Sequence, residues 1–205
     1  MSVSSDHVWV IGVTGASGVR YATRLLEVLP PLVKEVHVVF SDAALRVLND
    51  EEGIAVNAAA LSLERLIGKN FSNVTFYNPR DIGARIASGS MLTTGMVVIP
   101  CSMATLGAIA HGIPTHLVHR AADVHMKEGR KLILVPRETP LSPIHLENML
   151  KLSQYGVRIV PAMPGFYTRP QSVEDVVDQF VMKVLDSMGV CHSLGSRWKE
   201  PPEAE

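Results

Sequence analysis

The feature that most constrains the fold is a glycine turn set between a β-branched run and a helical stretch. Val8-Trp9-Val10-Ile11-Gly12-Val13 is short, apolar and β-branched, the pattern of a strand buried on both faces. Thr14-Gly15-Ala16-Ser17-Gly18 follows as a turn. Residues 19–29 then carry Tyr21, Leu25, Leu26 and Leu29 at helical spacing, and Pro30-Pro31 ends the helix. A second β-branched run at 35–40 completes strand, turn, helix and strand. Such a βαβ unit crosses over right-handedly and makes its two strands parallel.

The alternation continues along the chain. Further strands are read at 96–100, 131–136 and 157–160, and helices at 43–48, 58–67, 101–111, 142–154 and 173–188. Residues 71–90 mix Asn, Pro, Gly and Asp with few apolar positions and read as loop. No repeat or linker interrupts the pattern. The expected architecture is one α/β domain over residues 1–190, doubly wound around a mostly parallel sheet, with a tail at 191–205.

Composition narrows the function classes. Hydrophobic residues make up 47% and charged residues 19%, enough for a sizeable core. The net charge of −1 provides no basic field for a nucleic acid. Cys101 and Cys191 form no disulfide framework, which fits a reducing compartment. Residues 1–7 lack a signal-peptide pattern, and no apolar run nears the roughly 18 residues of a membrane span. A soluble, cytoplasmic protein with no membrane or nucleic-acid partner is expected.

Five segments carry chemistry. Gly12, Gly15 and Gly18 let a backbone approach a ligand between strand and helix, where free N–H groups favour an anion; Ser17 adds a hydroxyl. This is not the GxGxxG spacing of dinucleotide sites, and a plain tight turn stays open as a reading. Ser41-Asp42 ends the second strand and suits either a helix N-cap or a ligand contact. Pro100-Cys101-Ser102-Met103-Ala104-Thr105 follows another strand and offers two hydroxyls. Cys101 has no His partner in the sequence and reads as a small buried residue.

The fourth segment runs from Arg120 to Arg137-Glu138 and is dense in charge. An exposed, salt-bridged helix would explain most of it. Arg137 and Glu138, however, follow the apolar run KLILVP and so fall at a strand's carboxyl end, where the earlier segments converge. A cationic pocket for a phosphate, with a carboxylate beside it, is the sharper reading. The fifth, Pro161 to Pro170, brings Tyr167 and Arg169 as an aromatic wall and an anion clamp, or else a proline-stiffened loop. The eight histidines form no HxH or HExxH spacing, so no metal is expected.

TGASG at 14–18, SGS at 88–90, PCSMAT at 100–105, RAADVHMKEGRKLILVPRETPLSPIHLENM at 120–149 and PAMPGFYTRPQSVEDVVD at 161–178 together resemble the UbiX-type flavin prenyltransferases. The resemblance spans nearly the whole chain and is weakest at about 50–85. It implies a flavodoxin-like (Rossmann-like) domain assembled as a homo-oligomer, a dodecamer. It further implies FMN, used in its reduced form, and transfer of a dimethylallyl group from dimethylallyl phosphate to flavin N5 and C6. The product, prenylated FMN, serves UbiD-type decarboxylases, and no metal takes part.

By motif, the resemblance places FMN contacts on Gly15, Ala16, Ser17, Ser41, Ser102, Met103, Ala104, Thr105 and Arg120. The prenyl phosphate falls to Ser90, Lys127, Arg137, Glu138, Tyr167, Arg169 and Lys183, with Trp198 as an aromatic lid. Family members often carry Arg at the position of Lys183 and Asn at that of His116. Catalytic roles fall to Ser17, Lys127, Glu138 and Glu51, the last reaching in from a neighbouring subunit. The related phosphopantothenoylcysteine decarboxylases carry a PxMNxxMW-like segment, from which PAMPGFY differs.

Overall fold

A computed structural model describes residues 6–195 and 197. Strands β1 (Val8–Val13), β2 (Glu35–Phe40), β3 (Val74–Tyr77), β4 (Gly95–Cys101), β5 (Lys131–Pro136) and β6 (Arg158–Ile159) form one sheet in the order β3-β2-β1-β4-β5-β6. Every neighbouring pair is parallel. Around it lie helices α1 (Val19–Val28), α2 (Asp42–Glu52), α3 (Leu63–Ile67), α4 (Met103–Ala110), α5 (Leu117–Lys127), α6 (Pro143–Gln154) and α7 (Val173–Met188). The doubly wound class holds. The strand order is the six-strand dinucleotide-fold order, longer than the five-strand order of flavodoxin.

Period-two alternation builds two cores. Trp9, Ile11 and Val13 of β1 point to one face, where Leu25 and Leu26 of α1 and Phe180, Val181 and Leu185 of α7 cover them. Val10 of β1, Met96 and Val98 of β4 and Leu132 and Leu134 of β5 point to the other, against Leu106, Val118 and Ala122 of α4 and α5. Central strands buried on both faces explain the continuous apolar runs of the sequence. The order reverses between β1 and β4, and the crevice beyond their carboxyl ends is where such sheets bind ligands.

Three expected elements differ. The helix expected at 58–67 is only α3. The side-chain carbonyl of Asn57 accepts from the N–H groups of Ala59 and Ala60, each at 3.0 Å, which holds 57–60 in a turn. Ser62 then caps α3 by accepting from Arg65 N–H at 3.3 Å. The loop expected at 71–90 contains β3, an edge strand paired with β2 from Val36↔Val74 to Val39↔Tyr77, and a short 3₁₀ turn at Arg85–Ala87. Four residues on a half-exposed edge leave little apolar signal in a long polar window. The strand expected at 157–160 is the two-residue β6, cut short where Pro161 approaches.

Three histidines are buried: His37, His119 and His125, at 2%, 7% and 1% exposure. Burial lowers the pKa of each, that of His119 to about 4 with a smaller contribution from neighbouring His116. The unfolded chain, with histidine near 6.5, therefore binds more protons than the folded one below that pH. The stability these neutral rings permit is complete above pH 6.5 and is lost as the pH falls towards the folded value. Urea unfolding is expected to show about 2 kcal/mol less stability at pH 5 than at pH 7 from His119 alone. A midpoint independent of pH over that range would refute the burial of these rings as neutral groups.

Candidate active site

The crevice is organised by Thr14, which is 1% exposed. Its hydroxyl donates to Pro100 C=O at 2.9 Å and accepts from Ser102 N–H at 2.8 Å; its own N–H donates to Pro100 C=O at 3.2 Å. One side chain thus fixes the turn after β1 against the turn after β4. Gly15 lies so close to α2 that an added Cβ would meet the Cβ of Ala43 at 2.5 Å. Sequence reasoning passed over Thr14 because its partners are remote in the chain.

Around this joint lie the hydroxyl-bearing residues. Ser41 caps α2, accepting from Ala44 N–H at 3.1 Å, and its own N–H donates to Val13 C=O at 2.9 Å. Ser102 caps α4, accepting from Thr105 N–H at 3.2 Å and donating to Thr105 Oγ1 at 3.1 Å. The same Thr105 oxygen lies 3.3 Å from His119 Nε2. His119 in turn stacks on His116, with ring centroids 3.7 Å apart. Buried His116 Nδ1 has no partner among the described residues. Arg120 follows one turn later on α5, paired with Asp123 at 2.6 Å. Burial pushes the Cys101 thiol up, so it is no thiolate nucleophile.

Beyond β5, Arg137 Nε donates to the carbonyl of Ser17 at 3.2 Å. This bond carries a guanidinium from the third layer of the crevice to the first glycine turn. Arg137, Glu138 and Thr139 line a cavity of about 280 Å³ with Leu141, Met149 and Met163. Glu138 accepts from the N–H of Thr139 at 3.0 Å. In the loop after β6, the Tyr167 hydroxyl accepts from Gln179 Nε2 at 3.1 Å, and Gln179 Oε1 accepts from Gly165 N–H at 3.0 Å. Arg169 holds a left-handed backbone (φ 55°) in that loop, its N–H bonded to Phe166 C=O at 3.0 Å.

Other expected site residues stand elsewhere. Lys127 pairs with Glu128 at the carboxyl end of α5. An added Cβ on Gly89 would meet Lys127 Nζ at 3.1 Å, so Lys127 adjoins the 88–90 segment, where Ser88 and Ser90 share a 2.8 Å hydrogen bond. That group lies at the amino ends of the strands. About 10 Å of helix rise separates Lys127 from Arg120, and β5, about 20 Å long, runs between Lys127 and Arg137. Within one protomer, then, Lys127 and Ser90 do not meet Arg137, although the family resemblance groups all three on the prenyl phosphate. An α5 antiparallel to its strands puts its two ends at opposite edges of the sheet.

Lys183, midway along α7, faces Asp186 at 3.8 Å rather than the crevice. Glu51, expected to serve a neighbour, is engaged in its own chain. Its carboxylate accepts from Gly18 N–H at 3.0 and 3.2 Å and from Val19 N–H at 3.1 Å. Gly18 at the N-cap (φ 101°) brings no capping side chain, and a carboxylate satisfies the exposed amides and the dipole. Trp198 lies outside the described residues.

The crevice thus joins hydroxyls, a glycine turn and a guanidinium at a topological switch point. A family model described as "Flavoprotein" matches residues 2–185. The flavin prenyltransferase UbiX of Halalkalibacterium halodurans is 45% identical over 193 residues, 94% of each chain. This chain belongs to the UbiX family of flavin prenyltransferases. Among solved structures similar to this UbiX-family chain is a dodecameric FMN-dependent UbiX-like decarboxylase from Escherichia coli O157:H7. It has a TM-score of 0.83 at 45% identity, covering 94% of this chain and 100% of that one. Another is AnUbiX (PadA1) in complex with FMN and dimethylallyl pyrophosphate, with a TM-score of 0.82 at 37% identity, covering 95% and 98%.

The Thr14 joint makes a direct prediction for this UbiX-family fold. Thr14→Val keeps the shape but leaves the half-buried Ser102 N–H and the buried Pro100 C=O without their side-chain partner. A stability loss of about 2 kcal/mol is expected, together with faster hydrogen exchange at the Ser102 amide. Thr14→Ser is expected to restore both. Wild-type exchange at Ser102 in Thr14→Val would show that the two turns do not depend on this hydroxyl.

Proposed function

We propose that this chain binds FMN in the crevice beyond β1, β2 and β4 and transfers a dimethylallyl group from dimethylallyl phosphate to flavin N5 and C6. The product is prenylated FMN for UbiD-type decarboxylases. The observation that carries the reading is the Arg137–Ser17 bond, which sets a guanidinium against the first glycine turn; Glu138, next in the chain, lines the cavity beside Arg137. The crevice fits a ribityl phosphate: Ser41, Ser102, Thr105 and Arg120 supply donors, and the unpartnered His116 Nδ1 adds a polar atom beside them. Reduced FMN supplies the nucleophilic ring atoms to which the prenyl carbons bond.

Breaking an allylic C–O bond develops negative charge on the departing phosphate and positive charge on the prenyl group. The guanidinium of Arg137 offsets the phosphate charge without a metal ion. Glu138 and the Ser17 hydroxyl accept and return protons at the reacting edge. Tyr167, held by Gln179, and Arg169, both in the loop after β6, are assigned the role of closing over the bound prenyl phosphate and excluding water. Glu51 fixes the amides of the turn on which Ser17 stands.

Lys127 and Ser90 fit this chemistry as groups supplied by a second copy of the chain. In their own protomer they share a surface at the opposite edge of the sheet, where Lys127 is exposed. Lys183, exposed on α7, fits the same role. A homo-oligomer follows, and the dodecameric Escherichia coli relative supports that assembly. No helix among the described residues is long and apolar enough to cross a membrane, which fits a cytoplasmic enzyme.

The test is incubation of the purified chain with reduced FMN and dimethylallyl phosphate under anaerobic conditions. A flavin heavier by one C5H8 unit is expected; recovery of unmodified flavin would refute the transferase reading. Glu138→Gln is expected to retain FMN and slow transfer by about a hundredfold in single turnover. An unchanged rate would remove Glu138 from the proton path.

A further inference from the structure

The last described residues form a construction that the crevice does not account for. α7 ends at Gly189 in a left-handed conformation (φ 81°), and the chain turns back there. Val190 N–H bonds to Leu185 C=O at 3.1 Å, and Leu194 packs on the core beneath α7. At Gly195 an added Cβ would lie 3.2 Å from Met182 Sδ. From Met188 to Gly195 the chain therefore retraces α7 towards its amino end, which faces the crevice edge of the sheet. Gly195 there borders a cavity of about 180 Å³ together with Thr168, Arg169 and Gln179.

One carboxylate holds this reversal. Asp186 Oδ1 accepts from His192 Nε2 at 3.2 Å and from Arg197 Nη2 at 2.8 Å, and Oδ2 accepts from Arg197 Nη1 at 3.1 Å. The arginine fork is bidentate, the geometry in which such pairs are strongest. The His192 side chain is 2% exposed, and its Nδ1 accepts from Leu194 N–H at 3.1 Å. That bond fixes the tautomer, with the proton on Nε2 directed at Asp186. Lys183 Nζ stands 3.8 Å from the same carboxylate. A single exposed ion pair contributes little, but a half-buried carboxylate with a buried imidazole and a forked guanidinium is a network.

We propose that Asp186 is a positioning residue: it clamps the returning C-terminal segment along α7, so that this segment backs the loop carrying Tyr167 and Arg169. α7 then serves both sides of the pocket wall. Gln179 holds Tyr167 and Gly165 from one side, and Asp186 holds the returning segment behind Arg169 from the other. The kinetic part of this inference rests on the transferase reading; the clamp itself does not.

The test compares the full-length chain with Asp186→Asn and Asp186→Glu. Trypsin cleavage on the carboxyl side of Arg197, followed by mass spectrometry, reads the clamp. The KM for dimethylallyl phosphate, with the FMN dissociation constant as reference, reads the positioning. In Asp186→Asn, cleavage is expected to accelerate about tenfold and KM to rise several-fold with FMN affinity unchanged, both reverting in Asp186→Glu. Parental cleavage in Asp186→Asn would overturn the clamp. Faster cleavage at an unaltered KM would overturn the positioning role, as would an equal loss of FMN affinity. A parent chain that transfers no prenyl group refutes the transferase reading through that arm, while the cleavage arm still decides the clamp.

Discussion

One buried hydroxyl holds the crevice in register. In a doubly wound sheet the strands on either side of the reversal diverge, and the loops at their carboxyl ends have no reason of their own to meet. Thr14 joins them: its hydroxyl donates a hydrogen bond to the Pro100 carbonyl and accepts one from the Ser102 N–H. The cap of α4 depends on Ser102, and Ser102 also touches Thr105. Arg137 then reaches the first turn from the next strand, which extends the joint across three successive β–α connections. A change of one ångström at Thr14 would be felt by every donor in the row.

The sequence was most legible where local chemistry and tertiary burial agree. The bounds of β1, β2 and β5 were read directly, because strands covered on both faces show uninterrupted β-branched runs. α7 was read to the residue, since Ser172 and Asp175 form a capping box and Gly189 stops it. It was least legible where a side chain rewrites the local rule. Asn57 turned a helical-looking stretch into a turn, and β3 gains its pairing from β2 alone.

The candidate site shows the same division. Ser41, Ser102, Arg137 and Glu138 could be placed because each directly follows a strand, and chain order fixes which edge that is. The joint at Thr14 could not be read, since its partners lie more than eighty residues away and no local pattern encodes a contact of that span. Lys127 misled for a different reason. The motif groups it with Arg137, but a motif carries no information about which edge of the sheet a helix end occupies.

Glu51 has a wider consequence. The amino end of α1 is the place where this fold class usually receives an anion, and here an internal carboxylate already fills it. The peptide dipole of that helix is quenched by the protein itself. The amides of Gly18 and Val19 are thereby withdrawn from any outside anion for as long as Glu51 stays bound to them.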